Sequence, residues 1–241
     1  MKAAWKNILK TSTVTASSAA SGYPAYRLYD DVMGRIWMAA SSANASITID
    51  QGASPLPVSC LAVPAGHTHS GRTLSWERSA DGLTWDNILT PWVQADSSLI
   101  FKTIAAAGTW RYLRFSMTGG TPWPSCGELF MGDVTTFEAT PDFGSFSSLE
   151  PNVKRVESVS GVPTFMQMGP SKRVLDYDVK LIDATEKVLF EDWITTWGGC
   201  SPFVFVDQEG VALFGEFTEQ PHLVSTSVGR WSTRLTIRQV L

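Results

Sequence analysis

The sequence predicts a mainly β protein built of two units, and three observations carry that reading. Short runs in which apolar and polar residues alternate recur along the chain. Turn signals separate these runs about every ten residues in the first half. Ser, Thr, Gly and Trp are prominent, while long Lys, Glu and Ala blocks are missing. With 241 residues, 44% of them hydrophobic and 17% charged, the chain is long enough to bury a substantial core.

In the first half, residues 8–15 read as the opening strand and residues 17–37 as a long loop rich in Ser, Ala, Gly, Pro and Tyr. Short strands follow at 47–50, closed by Gln51-Gly52, then at 58–63, 73–78, 99–104, 110–116 and 128–132. Period-two alternation in these runs means one buried face and one wet face. Between two of them stands Ser79-Ala80-Asp81-Gly82-Leu83-Thr84-Trp85. Asp81 bonding its own backbone and Gly82 supplying a positive φ predict a tight turn, after which Trp85 folds back onto the sandwich.

Residues 136–152, with Pro141, Gly144, several Ser residues and Pro151, break the pattern. They read as a linker between one domain at 1–135 and another at 153–241. In the second domain, 154–159 and 162–168 form a hairpin and 173–182 a longer strand. A helix is predicted over 184–197, with Asp183 as N-cap, Glu186 completing a capping box and Gly198-Gly199 as the stop. Leu189, Trp193 and Trp197 recur at helical spacing, flanked by Phe190 and Ile194, so one stripe packs on a sheet. Strands at 202–206, 211–217 and 231–240 complete the unit.

Several function classes are excluded by composition and motif. The net charge of −4 and the lack of a Lys/Arg run argue against nucleic acid and against an anionic membrane surface. No run approaches the roughly 20 apolar residues of a membrane span, and Met-Lys-Ala-Ala-Trp-Lys lacks the apolar core of a signal peptide, so synthesis in the cytoplasm is expected. Cys60, Cys126 and Cys200 are widely spaced without a Cys-x-x-Cys or Cys/His pattern. They read as buried free thiols, one bridged pair staying open as the alternative. His67 and His69 lie one residue apart, but no carboxylate or cysteine stands near enough in sequence to complete a metal set. The adjacent carboxylates Asp30-Asp31 and Glu191-Asp192 diverge rather than face each other. Nucleophile-elbow, phosphate-loop, zinc-protease and dinucleotide motifs are all missing. The expectation is no enzyme, no cofactor and no metal.

Five phrases occur in order: Tyr26-Arg27-Leu28-Tyr29-Asp30, Ile36-Trp37-Met38-Ala39, Ile47-Thr48-Ile49-Asp50-Gln51-Gly52, Ser79 to Trp85, and Arg111-Tyr112-Leu113-Arg114. This series resembles the discoidin-like, or coagulation-factor type C, domain. The resemblance implies a jelly-roll sandwich with galactose-binding-like topology and a ligand end formed by loops at 30–37, 64–72 and 118–126. The residues a sugar would want there are His67, His69, Arg72 and Trp123.

The second half, with Leu189-Phe190-Glu191-Asp192-Trp193, then Ser201-Pro202-Phe203-Val204-Phe205-Val206-Asp207, and the ending Trp231 to Leu241, resembles minor tail proteins of long-tailed bacteriophages. That resemblance implies a tail-tube-like β-sandwich flanked by one helix and assembled into a homo-oligomeric ring, with six copies as the candidate number. Its implied partners are the tail tube and the tail hub, and its place is the virion tail tip, as a distal-tail protein. The first domain would then face outward toward fibres or host glycan. A carbohydrate-binding module protein is the alternative, and a hydrolase with an accessory module the second alternative.

Overall fold

The computed structural model describes residues 1–139, 141–142, 145–157, 163–167, 170–197 and 201–240. The chain is mainly β, with a single α-helix among the described residues. It divides into two compact units, one of residues 1–136 with 200–214, the other of residues 137–199 with 215–240.

The first unit is a sandwich. One sheet runs Thr13–Ala16, Ala45–Asp50, Tyr112–Thr118, Thr73–Ser79, Asp86–Asn87 in spatial order, and Trp92–Val93 also pairs with Thr73–Ser79. The other runs Phe130–Gly132, Pro57–Val63, Ile100–Thr109. Alternation decides the core: Phe115 stands opposite Ile47 on one neighbour and Trp76 on the other, and all three are buried. Val58, Leu61, Val63, Ile100 and Met131 of the facing sheet join the same cluster. Each such side chain contributes about 1.5–3 kcal/mol relative to exposure.

Pro57–Val63 is buried on both faces after its first residue, which a two-layer sandwich alone does not explain. The second cover lies in the same unit. Lys2–Ala4 pairs with Thr135–Thr136 on one side and with Phe203–Val206 on the other. From the hairpin that follows, the Phe214 ring meets Phe130 edge-on at 6.4 Å. Residues 200–214, read from the sequence as part of the second domain, thus pack with the first unit.

Two local expectations are corrected. Residues 8–15 do not form one strand. Ile8–Thr11 is a 3-10 turn, in which Asn7 Oδ1 accepts from the Leu9 amide, and the strand is Thr13–Ala16. Ile8 and Leu9 are adjacent and both buried, which a one-sided strand cannot achieve. The 136–152 segment is not merely a linker, since it contains the strand Phe146–Glu150, hydrogen-bonded to Lys172–Ile182. Its Ser content disguises an edge strand.

In the second unit, Phe146–Glu150, Lys172–Ile182 and Arg230–Gln239 lie side by side, joined by residues 215–217 and by Val224–Ser227. The helix spans Ala184–Trp197. Asp183 Oδ1 accepts from the amides of Thr185 and Glu186 at 2.9 and 2.8 Å, as an N-cap should. Glu186 does not close a capping box; its carboxylate takes the Ala139 amide at 2.7 Å instead. Phe190, Trp193 and Ile194 are the buried helical face. Phe137 lies 4.5 Å from Phe190 and 5.5 Å from Trp193, and Phe217 of the sheet lies 5.0 Å from Trp193. Gly198-Gly199 falls outside the described residues.

Two elements of this unit, among others, keep apolar side chains in water. Every residue of Phe146–Glu150 is exposed, with Phe146 at 52% and Leu149 at 72%. The hairpin of Val153–Glu157 and Pro163–Gln167 pairs only with itself among the described residues and exposes Phe165 at 66% and Met166 at 56%.

Candidate functional site

The Ser79 to Trp85 turn is a fold device. Asp81 Oδ1 accepts from the amides of Leu83 and Thr84 at 2.8 Å each and from Ser79 Oγ at 2.9 Å. Those bonds hold its carboxyl at a pKa of about 2. Gly82 takes φ +75°, and Trp85 lies under the Arg114 guanidinium at 4.1 Å, beside the Arg114–Glu77 ion pair.

At the other end of the same strands sit the four residues singled out for a ligand. Three of them do not reach the surface: His67, His69 and Arg72 are buried. Arg72 donates through Nη1 to the carbonyls of Ser42, Ala43 and Gly119 and through Nη2 to that of Pro122. A buried guanidinium needs partners for its donors; here loop carbonyls take both Nη groups, while Nε is buried without a hydrogen bond. His67 donates from Nε2 to Ser98 O at 2.8 Å and accepts the His69 amide at Nδ1. His69 stacks on His67 at 4.7 Å and stands edge-on to Phe115 at 5.9 Å, with no hydrogen bond to either ring nitrogen. Burial, then the charges of His67 and Arg72, push its pKa down to about 3. The polar side-chain atoms of all three thus face protein, not solvent, and Arg72 and His67 bond loop carbonyls.

Trp123 is different. It is 44% exposed, on a loop fixed from behind. Thr68 Oγ1 donates to the Trp123 carbonyl at 2.6 Å and accepts the Ser125 amide at 2.8 Å. Thr68 was not legible as a site residue, because its role depends on a loop far along the chain.

A second polar cluster lies under residues 30–31. Glu128 is buried; its Oε1 takes Asn7 Nδ2 at 3.5 Å and its Oε2 has no hydrogen bond. Asn7 also donates to Leu129 O and accepts the Met131 amide, tying the 3-10 turn to the last strand of the sandwich. Asp31 is held by Lys10 at 2.6 Å and by Ser201 at 2.9 Å. Asp30 Oδ2 is buried without a hydrogen bond. Burial pushes the Glu128 pKa up to about 9; Asp31 pushes the same way, Lys10 opposes and Asp30 adds. Lys10 answers Asp31 and Arg35 lies 3.8 Å from Asp30 Oδ2, which leaves Glu128 without a cation and favours its protonated form. Among the described residues no group of three His, Cys, Asp or Glu side chains is placed to hold a metal ion.

Compared with known proteins, the chain matches no family model and no curated protein. Among solved structures it is similar to chitosan-binding module 1 of a chitosanase/glucanase from Paenibacillus sp. IK-5. That match has 24% identity and a TM-score of 0.47, over 53% of this chain and 99% of the module. The family 32 module of Clostridium perfringens NanJ, solved with galactose, matches at 15% identity and a TM-score of 0.46, over 55% and 100%. The CBM32 of AlyQ, solved with 4,5-unsaturated mannuronic acid, matches at 21% and 0.42, over 53% and 96%. About half of this chain thus covers nearly the whole of each carbohydrate-binding module.

The other sequence candidates fall apart in space or lie elsewhere. Cys60 and Cys126 are buried free thiols, their pKa values raised by burial, and Cys200 lies outside the described residues. His222 is exposed in the second unit, beside a groove of about 440 Å³ floored by Val179 and Thr233.

Proposed function

We propose that the chain is a non-catalytic binding protein whose first unit contacts a saccharide at the loop end that carries Trp123. One observation supports this above the rest. The buried Arg72 guanidinium gathers carbonyls from the loops at Ser42-Ala43 and at Gly119 to Pro122, and Thr68 ties its own loop to Trp123. An indole on loops already fixed offers a stacking face with little ordering left to do on binding. Galactose and 4,5-unsaturated mannuronic acid, the ligands of two modules above, are the first probes. Selective binding on a glycan array, weakened about tenfold or more by Trp123→Ala with unchanged thermal stability, is the expected result. An array with no selective binder defeats the proposal.

A second reading is favoured by the exposed strands of the second unit: a component of a bacteriophage tail tip, a distal-tail or minor tail protein forming a ring between tail tube and hub. An open edge strand with exposed Phe146 and Leu149, next to a hairpin bearing Phe165 and Met166, is the kind of surface that a repeated subunit interface covers. The first unit would then meet fibres or host glycan. Native mass measurement should find an oligomer that Leu149→Lys or Phe165→Lys dissociates, and purified virions should contain the chain. A monomer that is also absent from virions refutes this reading.

A further inference from the structure

The first unit carries a second cleft, at the end of the sandwich away from Trp123. Thr73–Ser79 and Tyr112–Thr118 run antiparallel. Arg72 and Gly119 therefore lie beyond one end of this pair, and Asp81 and Arg111 beyond the other. A strand of seven residues puts the two ends about 20 Å apart. The cleft has a volume of about 490 Å³, and Arg78, Asp81, Thr84, Asp86, Trp110 and Arg111 are among its walls.

Several of its groups are held in place before any ligand arrives. The Arg78 guanidinium lies over the Trp110 ring at 5.3 Å and makes no ion pair among the described residues. Trp110 is itself fixed against Gly108, where an added Cβ would fall 2.0 Å from the ring. Asp81 spends Oδ1 on the turn, while Oδ2 has only a 3.4 Å contact with Thr84 Oγ1, which leaves acceptor capacity toward the cleft. The exposed carboxylate of Asp86 adds a second acceptor. Arg111 is already engaged by Asp50 through two contacts of 3.1 and 3.3 Å.

We propose that this cleft is a second saccharide site, taking a neutral ring with neighbouring hydroxyl groups. Hydroxyls both donate and accept, so one ring can donate to Asp81 and Asp86 while accepting from Arg78, with its apolar edge against Trp110. An anion meets two carboxylates and a single unengaged guanidinium; a cation meets Arg78. A neutral polyol avoids both conflicts. The site does not depend on the Trp123 end.

Amide and indole resonances of the full chain test it, with galactose, mannose and N-acetylglucosamine as neutral probes and galacturonate as the charged one. Saturable shifts of the Gly82 and Thr84 amides and the Trp110 indole are expected with at least one neutral probe. They should persist in Trp123→Ala, so failure at the other end leaves this result standing. Arg78→Ala and Asp86→Ala should each weaken the binding about tenfold, the scale of one charged hydrogen bond. The dispersion of the remaining resonances shows whether each variant is folded. No saturable shift with any neutral probe, tighter binding of galacturonate, or equal binding by both variants overturns the proposal.

Discussion

Replacing Glu128 with Gln should change how the first unit's stability responds to pH. Glu128 has a folded pKa of about 9 against an ordinary 4.5, so between those values the native state holds a proton that the unfolded chain has lost. Stability from this group is complete below 4.5 and falls by about 1.4 kcal/mol per pH unit as pH rises toward 9. His69 works in the opposite sense. Its folded pKa is about 3 against 6.5, so between those values the unfolded chain binds the extra proton and stability falls as pH drops. His67, lowered by burial, has the same sign as His69. From pH 4.5 to 6.5 the Glu128 and His69 slopes oppose and roughly cancel, and from 6.5 to 9 the Glu128 slope stands alone, worth about 3 kcal/mol in all. Glu128→Gln keeps the shape and removes the titration. Urea unfolding in chelating buffer, followed by the methyl resonances of Ile47, Ile49 and Leu113, reads the first unit's core directly. Between about pH 6.5 and about pH 8.5 the natural chain should lose on the order of 1 M in midpoint and the Gln variant almost nothing. If both chains lose the same amount, the alkaline limb does not come from Glu128 and the assignment is wrong.

Other outcomes follow from the same packing. In the Glu128→Gln background, the opposing slopes of His69 and His67 are unmasked, and stability should fall by at least about 1.4 kcal/mol per pH unit below 6.5; adding His69→Phe, which keeps the ring against Phe115, should reduce that fall and leave the part due to His67 in the same urea experiment. Asp183→Ala removes two amide partners at the start of the helix and should lower the second unit's stability by about 1 kcal/mol, read by urea unfolding followed in circular dichroism at helix wavelengths. Gly120→Ala should destabilise the first unit by at least about 1 kcal/mol, since φ there is +76° and the new Cβ falls 2.7 Å from Arg72 Cγ; thermal melting reads it.

What was legible in the sequence was whatever depends on neighbours a few residues away. The alternation in 73–78 and 110–116 placed the sandwich core, and Asp183 with the apolar spacing of Leu189, Trp193 and Trp197 placed the helix, although its buried face is Phe190, Trp193 and Ile194, Leu189 is half-buried and the Trp197 side chain lies outside the described residues. Chemistry read from residue type alone went astray where burial is a tertiary decision. His67, His69 and Arg72 looked like ligand donors, but their partners are Ser98 O, a neighbouring ring and loop carbonyls. A carbonyl leaves no trace in a side-chain pattern. Glu128 looked like the start of an ordinary strand, because the carboxylates that perturb it come from a loop far upstream. The strand expected at 202–206 was placed in the second domain because it follows the break at 136–152, whereas the Phe203–Val206 strand pairs with Lys2–Ala4.

That last pairing has a consequence for how the protein is made. The first unit is discontinuous along the chain: Lys2–Ala4 finds one neighbour in Thr135–Thr136 and the other only in Phe203–Val206. During synthesis the sandwich can form while Lys2–Ala4 still has an open edge and Phe130 still lacks Phe214, until the intervening 137–199 segment has emerged. A fragment ending near residue 136 would keep that edge and that aromatic surface uncovered. The second unit's residues are thus an obligatory interlude in the folding of the first, and a ribosome that stalls within them would present an unfinished sheet.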